Sequence, residues 1–433
     1  MKNIKLSFKI LKQRMVIFGL ILAALFVQEQ ISAESTIGLR ILITAIGVDK
    51  TEEGYEVSAQ IYTPSKDKSA PKEIISEKGP TVGAIMDALI GKTGRLATEE
   101  TCSLLVFGED LAKDNIMETL DYFLRKNVMS WNTIVAVGEK SALETLKGLN
   151  EMEKISSIDW ADFSNISERD FDRAAIQLRS FAKGVYGLTN TAHCILIGIE
   201  ETKQEQSSQG GGGSGGGQEE SNQSFGADKQ NSIYTQANGS QSSGQGAKQG
   251  QAPQLKTHGK TAVFVKGKQV LELNKEQTEG TNWINPKAQS YHFMLEGLGG
   301  YYFGDSKVTV HVFSKSNKIK SRFDDKPQIN FNISAKMELV EVMRDQIPLI
   351  VGKNDTIKLS QMLIDKTKEH IQKRVKDAYY AAAEKEADVF NIVPYFYKFH
   401  TKKYNKYMSS GRTIKDFLYD IELKFNLKLE IKV

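Results

Sequence analysis

The clearest hydrophobic pattern lies at the C-terminal end of the chain. Leu423, Phe425, Leu427, Leu429, Ile431 and Val433 alternate strictly with polar residues, which predicts a half-buried strand. Val308, Val310 and Val312 alternate in the same way, as do Ile329, Phe331, Ile333, Ala335, Met337 and Leu339. Between these strands the period changes. Ile357, Ile364, Ile371, Val375, Ala378 and Ala382 share a stripe, predicting a long helix over 357–383. Pro394 opens a shorter aromatic helix. Upstream, Thr261–Val265 and Lys268–Leu273 predict a hairpin around Lys266 and Gly267. A one-sided sheet packed by one long helix is an α+β arrangement.

The first half of the chain alternates strands with helices. Ile41–Ile46 and Tyr55–Thr63 read as a hairpin, with turn residues at Asp49–Gly54. Val82, Ile85, Met86 and Leu89 have helical spacing behind Thr81, a candidate N-cap. Cys102–Phe107, Thr133–Val137 and Ala192–Gly198 are apolar strands. Asn115–Arg125 is a helix with Ile116, Leu120, Phe123 and Leu124 inward; another starts at Ala142–Leu146, and 168–184 reads as helical. The fold class is therefore α+β, or mixed α/β. An N-terminal α/β domain spans 35–200 and a C-terminal antiparallel-sheet domain packed by a long helix spans 255–433, with 255–290 a candidate middle subdomain. Between them, residues 201–254 form a Gly/Ser/Gln-rich linker that includes eight residues of sequence GGGGSGGG at 210–217. Such a stretch buries too little apolar surface to offset its ordering entropy. As a flexible coil its ends lie roughly 40 Å apart.

The N-terminus carries Lys2, Lys5, Lys9, Lys12 and Arg14, then the apolar run Met15–Val27, then Ile31-Ser32-Ala33. This is the layout of a secretory signal over residues 1–33. The run is shorter than the ~20 residues that span a bilayer, and an uncleaved short membrane anchor is the alternative. If the segment is a signal, the remainder is expected to work outside the cytoplasm.

Composition adds exclusions. The net charge of +4 over 433 residues, with no dense basic stretch, does not point to nucleic acid. The two cysteines, Cys102 and Cys194, lack zinc-site spacing. They are expected either as buried thiols or, in an oxidising compartment, as a disulfide. Gly91-Lys92-Thr93 looks like the end of a phosphate-binding loop, but it follows a helix and lacks the upstream glycine. It reads as a helix end. Glu338 and Glu341 would face opposite sides of a continuous strand, which argues against a paired acid/base role. His193, His258, His292, His311, His370 and His400 form no HExxH motif, and no G-x-S-x-G motif occurs. No catalytic, cofactor or metal residue is assigned. The remaining feature is a run of aromatics, Tyr395, Phe396, Tyr397, Phe399, Tyr404 and Tyr407, interleaved with Lys398, Lys402, Lys403 and Lys406. Such a helix can lie against a membrane surface or a partner; core packing with a solvated lysine face is the alternative. The candidate interaction surface is Tyr397, Lys402, Lys403, Tyr404, Lys406 and Tyr407.

A set of ordered motifs resembles the Ger(x)C family of spore germinant receptor C subunits. Gly79–Leu89 is similar to the first helix of that family's N-terminal domain, Phe107–Ala112 to its "GeeLA" turn, and Asp121–Arg125 to "dfllR". Gly259–Phe264 resembles "GtavF", and Leu273–Gly280 with Trp283 resembles "LsekETrGllW". Glu338–Glu341 resembles the strand-end "l-E" motif and Ala387–Phe390 the "aDvfgfg" motif. Order and spacing agree over most of 38–433 outside the linker. The resemblance implies a non-enzymatic subunit without a cofactor, on the outer face of the spore inner membrane. Its implied partners are germinant receptor A-type and B-type membrane subunits. Members are normally lipoproteins, whereas no cysteine follows the apolar run here. The motif at Asp388 also continues as Asn391-Ile392-Val393 instead of a glycine-containing turn. The rival reading is an exported envelope solute-binding protein or cell-wall hydrolase.

Overall fold

The structure is a computed structural model. It describes residues 15, 17–19, 40–62, 73–94, 96–126, 129–156, 175–200, 254–256, 259–296, 306–344, 347–348 and 353–432. The expected linker lies outside these residues apart from Gln254. So does the export segment, apart from Met15, Ile17, Phe18 and Gly19, which are helical and exposed. No helix among the described residues is long and apolar enough to cross a membrane.

The first part begins with β1 (Arg40–Thr51), β2 (Gly54–Tyr62), β3 (Glu73–Gly79), α1 (Val82–Thr93), β4 (Leu96–Thr98) and β5 (Leu104–Phe107). It continues with α2 (Glu109–Asp114), α3 (Met117–Lys126), β6 (Ile134–Gly138), α4 (Ala142–Ser156), β7 (Ile176–Gln177), α5 (Leu178–Val185) and β8 (Thr191–Glu200). β9 (Gln254–Lys256), β10 (Thr261–Val265) and β11 (Lys268–Leu273) follow. These strands form an 11-stranded sheet with the main order β11-β10-β8-β6-β5-β1-β2-β3. β1, β5, β6 and β8 are parallel, and antiparallel strands flank them. Helices cover both faces, as a parallel centre requires. On one face Val82, Ile85, Met86 and Leu89 of α1, with Leu120 and Phe123 of α3 and Phe181 of α5, bury against the sheet. On the other, Ala142, Leu146 and Leu149 of α4 meet Ala45, Val106, Ala136 and Ile197.

Local signals in this part act as read. Thr81 caps α1 by accepting from Ala84 N at 3.3 Å. Gly91-Lys92-Thr93 ends that helix; Gly94 takes φ 60° and Lys92 pairs with Glu77. Cys102 and Cys194 are free and buried, and burial raises both thiols, Cys102 to about 12. Gly108 opens the turn at Phe107–Ala112. A Cβ there would sit 1.9 Å from Asp49 Oδ1, whose carboxylate accepts from Ala142 N and Leu143 N at 2.7 and 3.0 Å. The stretch expected to be helical over 168–184 is described only from 175, and there it is the short β7 followed by α5.

The hairpin at 261–273 does not stand apart as a subdomain, nor does it pair with the C-terminal sheet. It extends the first sheet through β10–β8 pairing. Lys266 and Gly267 at its tip have φ 52° and 78°, the left-handed pair of a tight hairpin turn. Its faces are divided between the two halves of the molecule. Ala262 and Phe264 enter the first core, while Val263 and Leu273 enter the second.

The second part is α6 (Lys275–Ile284), β12 (Tyr291–Glu296), β13 (Lys307–Phe323), β14 (Pro327–Arg344), β15 (Ile347–Pro348) and α7 (Lys353–Glu384). α8 (Val393–Phe399), α9 (Thr401–Met408), α10 (Ile414–Asp420) and β16 (Glu422–Lys432) complete it. β12, β13, β14 and β15 pair antiparallel in that order. β16 departs from the expected antiparallel pattern and joins β14 in parallel, Gln328 opposite Glu422 through Glu338 opposite Lys432. The four helices between β14 and β16 make the crossover that parallel strands need. α7 buries Leu363, Thr367, Ile371, Val375, Ala378 and Ala382 against one face. Ile364 is only half-buried. The core stripe advances by three or four residues, so Leu363 takes the place that a seven-residue step gave to Ile364.

Candidate functional site

The aromatic–lysine segment folds as α8 and α9 against α10, and Phe417 is its hub. Phe396, Tyr404 and Tyr407 meet Phe417 edge-on with ring centroids 5.2, 5.1 and 5.1 Å away. Tyr404 is buried, so it belongs to the core and not to the expected interaction surface. Tyr407 is half-buried. Its hydroxyl donates to Asp420 Oδ2 at 2.5 Å, and Arg412 lies 4.4 Å from its ring. Partial burial, with the Asp420 carboxylate second, pushes that phenol up to about 12. Lys403 is exposed along its stem, but its ammonium donates to the Phe323 carbonyl and, at 3.0 Å, to that of Asp324. It ties α9 to the β13–β14 turn.

Tyr397, Lys402 and Lys406 remain outward. Phe399 belongs with them at 60% exposed, and Lys398 Nζ sits 5.1 Å from its ring. No acidic residue occurs between Asp388 and Asp416, so the charged side chains that α8 and α9 expose are all basic. Sequence reading placed Tyr404 and Tyr407 there because it weighed the aromatics together. Their three-residue spacing, continued by half-buried Met408, is the signal that turns them inward.

Asp388 anchors the segment. The carboxylate accepts from Ile392 N at 2.8 Å and Val393 N at 2.7 Å, at the start of α8. Its own N–H donates to Thr191 Oγ1 on β8 at 3.1 Å, linking the two halves. Burial pushes the carboxyl up to about 6 although both N–H groups favour the ionised form. Asn391 adopts φ 52°, so it supplies the left-handed backbone that a glycine would otherwise provide.

α6 is the second polar hub, and sequence reading did not identify it as a helix. Asn274 and Gln277 form its capping box. Buried Glu279 accepts from Trp283 Nε1 at 3.1 Å, meets His370 Nε2 at 2.6 Å and lies 3.3 Å from Arg374 Nε. At its other end Lys315 donates to the carbonyls of Asn282, Trp283 and Asn285 at 2.6, 3.1 and 2.6 Å. Burial pushes the Lys315 ammonium down to about 7. The three carbonyls and the negative helix end oppose that loss of charge. Gly280 lets α6 lie directly on α7; a Cβ there would come within 2.0 Å of the Arg374 carbonyl.

The glutamates considered for hydrolysis are placed differently from the expectation. A bulge at Val340 pairs Glu341 with Thr309 and Glu338 with His311, so both glutamates share the outer face. Glu338 Oε1 meets His311 Nδ1 at 2.9 Å, and that ring stacks on His292 at 4.1 Å. Among the described residues no group of three or more His, Cys, Asp or Glu side chains is placed to hold a metal ion.

Comparison with known proteins accounts for both halves. Residues 36–201 match the family described as "Spore germination protein N-terminal domain". Residues 259–432 match "Spore germination B3/GerAC like, C-terminal". The solved crystal structure of the GerBC protein aligns over 90% of this chain and 97% of its own, with 13% identity and a TM-score of 0.45. No curated protein matches the chain. The ordered motifs, the two folded parts and these two matches agree: the chain belongs to the GerAC-like family of spore germination proteins.

Proposed function

We propose that this protein is a non-enzymatic subunit of a spore germinant receptor complex. It acts by binding, on the outer face of the spore inner membrane, and helps to assemble the receptor or transmit its signal. The observation that carries this reading is the pair of family matches, which together take in nearly all of both folded parts. Its partners are A-type and B-type membrane subunits. The outward face of α8 and α9 is the docking surface: Tyr397 and Phe399 supply apolar contact, and Lys398, Lys402 and Lys406 supply charge toward acidic groups of a subunit or lipid headgroups. Tyr404, Tyr407 and Lys403 position that face and do not contact the partner. The test is purification of a tagged chain from detergent-solubilised spore membranes. Multi-spanning subunits should accompany the wild type and be lost from a K398E/K402E/K406E variant that melts normally. Equal recovery with both would remove this surface from the reading.

A further inference from the structure

We propose that the outer edge of β16 pairs with the same edge of a second copy of this chain, antiparallel, about a two-fold axis at Leu427. This goes beyond the docking surface above and involves other residues. β16 is 11 residues long and pairs along one side with β14; among the described residues no strand pairs with its other side. It is therefore a long row of backbone donors and acceptors of the kind that recruits another strand. Its inward row, Leu423, Phe425, Leu427, Leu429 and Ile431, packs on the second core yet stays only half-buried. A strand added alongside would cover that flank.

The charge pattern selects the occupant and the register. Glu422, Lys424, Asn426, Lys428, Glu430 and Lys432 form the exposed row. With the axis at Leu427, Glu422 faces Lys432, Lys424 faces Glu430 and Asn426 faces Lys428, each twice by symmetry. On the inner face Leu423 meets Ile431, Phe425 meets Leu429 and Leu427 meets itself. An axis at Asn426 sets Glu422 against Glu430 and Lys424 against Lys428. An axis at Lys428 sets Lys424 against Lys432 and Lys428 against itself. Directly opposed like charges destabilise a strand pair. An axis between residues would oppose the apolar row to the polar one, because a one-residue slip exchanges faces. Parallel in-register pairing sets every lysine against its own copy. Axes at Phe425 and Leu429 oppose no like charges either, but each pairs only seven residues of β16 and one kind of Glu–Lys couple. The Leu427 axis pairs all 11 residues with two such couples, and a two-fold axis closes the assembly as a dimer.

Cysteine cross-linking in the full-length, membrane-extracted chain tests this, since Cys102 and Cys194 are buried. Directly opposed residues bring their Cα atoms to about 5 Å, within disulfide reach. Leu427→Cys should therefore oxidise to a covalent dimer. Leu423→Cys alone should not, because its copies would stand ~27 Å apart at about 3.4 Å per residue. Leu423→Cys combined with Ile431→Cys should cross-link again. Adding Lys424→Glu to Leu427→Cys should reduce the dimer at least tenfold, and adding Glu430→Lys as well should restore it. No dimer from Leu427→Cys in a chain that melts normally would overturn the proposal. Equal cross-linking at 423 and 427, or a charge swap that fails to rescue, would overturn it too. A strand from a different protein on this edge would give the first of those results.

Discussion

The first sheet of this chain is covered on both faces by helices, whereas the second, among the described residues, is covered on one face. The two also differ in how their layers are held. The first core contains buried hydroxyl and amide groups but no fully buried charged side chain among the described residues. Glu279, Lys315 and Asp388, the buried charged groups of the described chain, all belong to the second part or to its joint with the first. In the first part, burial on both faces of the sheet is joined by partly buried polar contacts such as that of Asp49 with Ala142 N and Leu143 N, and no fully buried charge takes part among the described residues. A sheet covered on one side, with α6 wedged between α7 and the hairpin, gains definition from fixed polar links. The lesson is a division of labour. The first part has both faces of its sheet covered, and the second has helices on one face only among the described residues.

This contrast can be broken in graded steps. Gly280→Val should have the largest effect. Its side chain meets the Arg374 backbone, which cannot move without shifting α7, so the loss should reach at least about 3 kcal/mol, the upper end for overpacking. Urea denaturation measures it, with the second part unfolding first.

Asp388 should give a pH-dependent effect of similar ceiling. Its carboxyl lies at about 6 when folded, above the ordinary value of 3.8, so the folded state holds the proton more tightly. The stabilisation is complete below about pH 4 and disappears as pH rises through 6, up to about 3 kcal/mol in total. Denaturation midpoints between pH 4 and 6 should fall in the wild type. Asp388→Asn should remove that slope while the Asn oxygen still accepts one N–H at the start of α8.

Lys315→Met should cost about 2 kcal/mol, because it leaves carbonyls at the end of α6 without their donor while also relieving a buried charge. A thermal melt reads this effect. The smallest stability change, within about 0.5 kcal/mol, belongs to K398E/K402E/K406E, since these lysines are exposed. If that variant unfolded readily, the division between structural links and open surface would be wrong.

Much of the architecture was legible because burial on one face imposes a period. β14 and β16 alternate, the apolar face of α1 recurs at helical spacing, and the Lys266-Gly267 turn carries its own backbone chemistry. α6 was not legible as a helix. Thr278, Glu279, Gly280, Thr281 and Asn282 are all buried, so no apolar stripe marks the element. The parallel placement of β16 and the membership of the hairpin in the first sheet depend on contacts across more than sixty residues, which local pattern does not carry. The bulge at Val340 put the two glutamates on one face; the apolar doublet Leu339-Val340, followed by Val342, marks the change of phase in the alternation. Of the six residues expected at the candidate surface, Tyr397, Lys402 and Lys406 stay free to meet a partner. Tyr404 and Tyr407 are drawn to Phe417, and Lys403 to the β13–β14 turn.

The most direct test of the central claim is the composition of what travels with this chain in the spore membrane. A tagged full-length protein, solubilised in mild detergent and purified in parallel with K398E/K402E/K406E, should bring down multi-spanning membrane subunits in the wild type and lose them in the variant. Recovery of the wild-type chain without any membrane subunit, in a spore that germinates normally, would contradict the account.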